Sequence, residues 1–145
     1  MKKILLMSLL VIISTTSYTM ASTQYSSKYA KNFQECTPYK ENVYSKINQN
    51  LSMKTEESII GRKNNKCVTR STVYNVNTQE TPYKEEKISI IDCQFSQEQV
   101  KSLAIKMNAP TQYVNIKQKL QDELAGYITD PNVCKITNLQ NQSQN

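Results

Sequence analysis

Residues Ser58–Val76 read SIIGRKNNKCVTRSTVYNV. Ile59-Ile60 on one side, and the run from Val68 to Val76 on the other, flank Asn64-Asn65. Runs rich in β-branched residues suit pleated strands. Asparagine tolerates positive φ, so Asn-Asn can form the two-residue turn of a hairpin. The stretch therefore predicts two antiparallel strands, over about 57–63 and 66–76.

Neighbouring segments extend this hairpin into a sheet. Tyr39–Ile47 (YKENVYSKI) places Val43, Ser45 and Ile47 on one face at period two, predicting a strand over about 39–47. Glu86–Phe95 (EKISIIDCQF) is apolar and β-branched, predicting a buried strand over about 86–94. The pentapeptide TPYKE occurs at Thr37–Glu41 and again at Thr81–Glu85. Each proline pushes its threonine toward an extended conformation, so each copy reads as the start of a strand. The cysteines do not keep phase between the two copies, which argues against a duplicated domain.

Helices follow the strands. Ser96 with Gln99 forms a capping-box pattern, and Phe95 with Val100 occupies the hydrophobic-staple positions. Val100, Leu103, Ala104 and Met107 then recur at helical spacing. Asn108-Ala109-Pro110 ends this helix. A second is predicted from near Thr111, with Tyr113, Ile116, Leu120, Leu124 and Tyr127 as its apolar stripe and Gly126 as its close.

The flanks are different in character. Lys2-Lys3, the apolar run Ile4–Ile13 interrupted by Ser8, and small residues Thr19 and Ala21 form a signal-peptide pattern over residues 1–21. The apolar run is short for a membrane span. The expected destination is the periplasm or the exterior, with no stable membrane insertion after cleavage. Residues 22–33 read as a flexible leader, 34–136 as the folded domain, and 137–145 as a disordered polar tail.

Cys36, Cys67, Cys93 and Cys134 all fall in the exported part, and an even count there implies two disulfides. A four-strand meander followed by an antiparallel helix pair brings all four to one end of the sheet. Centring the loop between the third and fourth strands near Glu80 sets Cys67 opposite Cys93. The expected bridges are therefore Cys67–Cys93 and Cys36–Cys134.

Composition narrows the chemistry. The chain has no histidine, which removes Ser-His-Asp triads, Cys-His nucleophiles and histidine-ligated metals. It has no C-x-x-C, and its two glycines, Gly61 and Gly126, form no phosphate-cradling loop. No cofactor or metal is expected. Losing Lys2 and Lys3 with the signal peptide lowers the net charge from +6 to +4. That modest excess, without a recognised motif, does not point to nucleic acid.

The candidate binding residues are Arg62, Lys63 and Lys66 at the hairpin tip, with Arg70 along the strand and Tyr39 nearby. Such a surface suits an acidic protein or an anionic glycan. Carboxylate chemistry would require Asp92 or Glu57 to meet another acid in a cleft, because adjacent pairs such as Glu56-Glu57 point to opposite faces.

The expected fold is α+β: a small antiparallel meander of about four strands, with two amphipathic helices packed on one face and two disulfides. The expected function is an exported, non-enzymatic binding or inhibitor-type module. The alternatives are a carboxylate-dependent hydrolase acting on envelope or extracellular glycans, and a structural component of a cell-surface assembly.

Overall fold

The computed structural model describes residues 25–110 and 113–139. The signal-peptide reading, the start of the leader and the end of the tail lie outside the described residues. The chain runs α1 (Ser27–Glu35), β1 (Tyr39–Lys46), β2 (Leu51–Lys63), β3 (Lys66–Asn77), β4 (Lys84–Phe95), α2 (Gln97–Met107), α3 (Val114–Thr129) and β5 (Cys134–Asn138). The strands form one antiparallel sheet in the order β1-β2-β3-β4-β5. The fold is α+β with two disulfides, but among the described residues it has five strands and three helices.

Local chemistry explains the joints. Asn64 and Asn65 take φ of 50° and 62°, so both central residues of the β2–β3 turn are left-handed, the geometry that matches strand twist in a tight hairpin. At the β1–β2 turn, Asn48 Oδ1 accepts the N–H groups of Asn50 and Leu51, each at 2.9 Å. This side-chain turn starts β2 at Leu51, six residues before the expected Glu57. The capping box of α2 forms as read: Ser96 N–H donates to Gln99 Oε1 at 2.8 Å and Gln99 N–H to Ser96 Oγ at 3.2 Å. Gly126, expected to close α3, lies within it, and the helix continues to Thr129.

Cross-strand register sorts the sheet into two faces. Tyr39, Ile59, Thr69, Cys93 and Cys134 are successive partners across all five strands and share one face. The helices lie on that face, with α1 beside β1, α2 beside β3 and β4, and α3 beside β5. Phe33, Leu103 and Cys67 are the largest fully buried side chains, in a core that also includes Ile59, Phe95, Val100 and Leu120. Fully burying one such hydrocarbon side chain contributes about 1.5–3 kcal/mol. Of the stripe expected for the second helix, Leu120 is buried, whereas Tyr113 precedes α3 and is 51% exposed. Among the described residues, no helix is long and apolar enough to cross a membrane.

Two stretches depart from the sequence reading. Residues assigned to a flexible leader form α1, which buries Tyr29, Ala30 and Phe33. Ser26 Oγ caps it by accepting the Tyr29 N–H at 2.9 Å, and Cys36 closes it in the left-handed conformation at φ 52°. Thr137 and Asn138, assigned to the tail, belong to β5 and pair with Ile90 and Ser89.

The disulfides are Cys36–Cys67 and Cys93–Cys134, correcting both expected bridges. The register shifts between Val73 and Tyr74, where β4 carries one extra residue, Ile88. That bulge, added to a loop centred between Glu80 and Thr81, sets Cys67 opposite Phe95 and Cys93 opposite Thr69. β5 then places Cys134 directly across from Cys93, at 4.1 Å between Cα atoms. The turn of α1 brings Cys36 to 5.7 Å from Cys67. All four cysteines do gather at one end of the sheet.

The bridges span 31 and 41 residues, so each is expected to stabilise the chain by about 3–4 kcal/mol. Non-reducing peptide mapping should yield Cys36–Cys67 and Cys93–Cys134 peptides. The Cys36→Ala/Cys67→Ala variant should lose about 3–4 kcal/mol in urea unfolding, and a loss below about 1 kcal/mol would contradict the role given to this bridge.

Candidate functional site

The predicted binding residues divide between three places. Arg62, Lys63 and Lys66 all lie exposed at the β2–β3 tip, with Lys63 and Lys66 on the face opposite the helices and Arg62, the partner of Cys67, on the helix side. Lys63 and Lys66 are direct cross-strand partners on the last rung before the turn. Like charges directly opposite are unfavourable, and among the described residues neither Lys63, Lys66 nor Arg62 has an ion-pair partner. No Asp or Glu occurs from Ser58 to Cys67 to offset them.

Arg70 lies away from the tip, on the face opposite the helices. It grips Asp92 with two hydrogen bonds, Nε to Oδ1 at 2.6 Å and Nη2 to Oδ2 at 3.1 Å. Tyr39 belongs to the other face, under α1, with Lys28 Nζ 5.3 Å from its ring centroid and Tyr29 edge-on at 6.3 Å. Arg70 and Tyr39 therefore cannot share a binding surface, and Asp92 is engaged by Arg70 rather than by another acid.

The open face is a polar lattice. Its first row is Lys40, Ser58, Arg70, Asp92 and Lys135, and the next begins Asn42, Glu56, Thr72. Below them Tyr44, Lys54, Tyr74 and Lys87 are successive partners from β1 to β4. Ion pairs cross-link the lattice: Lys40–Glu56 at 2.8 Å and Lys54–Glu85 at 2.6 Å, in addition to Arg70–Asp92. Lys54 Nζ lies 4.8 Å from the Tyr74 ring centroid and Lys87 Nζ 5.8 Å from it. Such exposed pairs contribute little to stability individually, but they fix where the charges sit.

A second constellation lies beneath α1. Glu41 on β1 and Glu57 on β2 are direct cross-strand partners on the helix side. Ser71 Oγ donates to Glu57 Oε2 at 2.6 Å. Glu41 accepts the backbone N–H of Ser26 at 3.2 Å and the Ser26 hydroxyl, which ties it to the start of α1. Glu57 is only 5% exposed. Burial raises its pKa from 4.5 to about 7, the Ser71 hydrogen bond opposes the shift, and the charge of Glu41 adds to it. Burial first, and then the charge of Glu57, also hold the Tyr25 and Tyr29 hydroxyls well above their ordinary value of 10. An open depression of about 510 Å³ runs along β1, lined by Tyr25, Ser26 and residues Glu41 to Ser45. Glu41 lines it, and Glu57 sits behind.

Sequence reasoning named Glu57 but missed its partner. The signal was Asn48–Asn50: a turn centred on Gln49 pairs residue 41 with residue 57. Starting β2 at residue 57 hid that register. Among the described residues, no group of three or more Cys, Asp and Glu side chains is placed to hold a metal ion.

The pH dependence follows from Glu57. Its folded pKa exceeds its ordinary value, so the folded state binds this proton more tightly than the unfolded chain. The full benefit is present below about pH 4.5 and is lost as pH rises through about 7. The ionised carboxylate then costs about 3 kcal/mol. Glu57→Gln should abolish this part of the dependence and be the more stable protein at about pH 8. Equal pH slopes for wild type and variant between about pH 5 and 8 in urea unfolding would contradict the assignment.

Comparisons with known protein families, with curated proteins and with solved structures return no match for this chain.

Proposed function

We propose that the protein is an exported binding module of inhibitor type that engages an anionic partner through the disulfide-tied end of its sheet. Export is supported by the signal pattern at residues 1–21 and by two disulfides in a small domain. The observation that carries the binding reading is the Lys63–Lys66 pair. Two cations face each other across the last rung of a hairpin, Arg62 precedes them on the adjacent rung, and among the described residues none of the three has an ion-pair partner. This arrangement costs stability when the partner is absent. An acidic protein surface or an anionic glycan would repay that cost on contact. The tip is also well supported, with a left-handed Asn64-Asn65 turn above it and the Cys36–Cys67 bridge at its base. A preorganised tip loses little conformational freedom on binding.

A second reading is favoured by one observation. The Glu41–Glu57 pair resembles the two-carboxylate arrangement that glycan hydrolysis needs, with one acid held protonated near neutral pH and the other lining an open depression. Against it, Glu57 is nearly inaccessible and Glu41 is occupied by Ser26. The binding reading is therefore preferred.

One substitution separates stability from binding. Lys66→Glu converts the like-charged rung into an ion pair and should raise stability by about 0.5 kcal/mol. The same variant, and Arg62→Glu/Lys63→Glu/Lys66→Glu more strongly, should lose the partner that wild type captures from the exported fraction at low salt. Undiminished capture by the triple variant would exclude the tip. Glycan cleavage that depends on both Glu41 and Glu57 and ignores the tip would establish the hydrolase instead.

A further inference from the structure

The open face of the sheet carries more positive charge than it needs for internal pairing. Away from the hairpin tip, where Lys63 and Lys66 share this face, six cations lie on it among the described residues, Lys40, Lys46, Lys54, Arg70, Lys87 and Lys135, against three carboxylates, Glu56, Glu85 and Asp92. Each carboxylate is committed to one cation: Glu56 to Lys40, Glu85 to Lys54 and Asp92 to Arg70. The excess is three. Among the described residues, Lys46, Lys87 and Lys135 have no ion-pair partner. They are spread from β1 across β4 to β5, so the uncompensated charge follows a path across the strands.

Tyrosines punctuate that path. Tyr44 and Tyr74 stand on the same row, with β2 between them. Two strand spacings separate them by about 10 Å, a distance comparable to a disaccharide. Tyr44 is 63% exposed, so its ring is free to stack on a sugar. Tyr74 instead holds cations in place, because Lys54 and Lys87 sit by its ring and Lys54 is also held by Glu85 at 2.6 Å. The lysines along the row are thus partly ordered before any ligand arrives. Lys46, two residues beyond Tyr44 on β1, and Lys87 on β4 stand about 16 Å apart, three strand spacings across and two residues along.

We propose that this face is a platform for a linear acidic polysaccharide bearing one carboxylate per disaccharide, lying across the strands along the Tyr44–Lys54–Tyr74–Lys87 row. The proposal rests on the reading of the protein as an anion-binding module and gives that reading a ligand class and a second surface. An acidic protein fits less well. Stable protein interfaces centre on desolvated apolar or aromatic anchors seated in pockets, and this face is polar and cross-linked by ion pairs. Polysaccharides make extended, wet contacts, and the exposed Tyr44 ring beside the lysines ordered around Tyr74 matches a neutral sugar followed by an acidic one.

Titrating the purified protein with hyaluronan oligosaccharides, whose uronate alternates with a neutral amino sugar, tests this directly. Backbone amide shifts should move on the open face, at residues 42–46, 54, 74 and 87, with neutral dextran oligosaccharides leaving them unchanged. Tyr44→Ala, on an exposed edge strand, should weaken binding about tenfold, and Tyr44→Phe should retain it. Lys87→Gln should weaken it about threefold and flatten its salt dependence. The tip variant Arg62→Glu/Lys63→Glu/Lys66→Glu should bind the oligosaccharide within about twofold of wild type, because Lys66 lies eight residues, about 26 Å, along β3 from Tyr74. If hyaluronan binds equally well to wild type, Tyr44→Ala and Lys87→Gln but not to the tip variant, the platform is overturned and the binding reading stands. If polyglutamate or a single-stranded oligonucleotide binds the same face more tightly than hyaluronan, the ligand class is wrong. If no anionic probe binds and the wild type captures no partner, the platform and the binding reading fall together.

Discussion

Phe95 makes the contact on which the rest of this structure depends. Its ring is 4% exposed and receives Phe33 of α1 edge-on at 5.6 Å and Tyr127 of α3 edge-on at 5.8 Å. Such aromatic pairs add to the hydrophobic gain of burying the rings. Phe95 is also the last residue of β4, the cross-strand partner of Cys67, and the neighbour of Ser96, which caps α2. One side chain thus ties the cysteine-bearing end of the sheet to all three helices. The helices are held over one face, and the other face keeps its polar lattice.

One-sided cover explains where the unusual chemistry lies. On the covered side, α1 settles over β1 and β2, where the register sets Glu41 beside Glu57. An acid that would be ordinary on the open face becomes buried and hard to ionise. On the open side, carboxylates and cations pair freely, and their unequal numbers leave a surplus of positive charge. At the hairpin tip, Arg62, Lys63 and Lys66 find no acid to pair with among the described residues.

Much of this was legible in the residues. Asn64-Asn65 located the central hairpin, Ser96 with Gln99 located α2, and the two TPYKE segments marked where β1 and β4 start, at opposite ends of the sheet. The gathering of the cysteines followed from topology alone. Pairing did not, because the loop centres between Glu80 and Thr81 and Ile88 adds one more residue to β4, and these two half-steps together move Cys67 from Cys93 to Phe95. Helix α1 was hidden by its length: in nine residues, Tyr29, Ala30 and Phe33 give too short a periodicity to stand out from a Ser- and Tyr-rich flank. β5 is a five-residue strand whose place is fixed by Cys134 meeting Cys93, a tertiary event with little local signal. For the candidate site, the tip cations were visible as a cluster. The separation of Arg70 from Tyr39 required the register, since neighbouring positions on paired strands alternate between faces.

Helix α1 is an integral layer of the fold, fastened by Phe33 on Phe95 and by Cys36 on Cys67, and not a mobile leader. Native-state hydrogen exchange of the α1 backbone amides tests this most directly. Amides from Lys31 to Cys36 are expected to be protected by opening free energies approaching those of β3. Exchange of these amides at the rate of an unstructured peptide, while β3 stays protected, would contradict it.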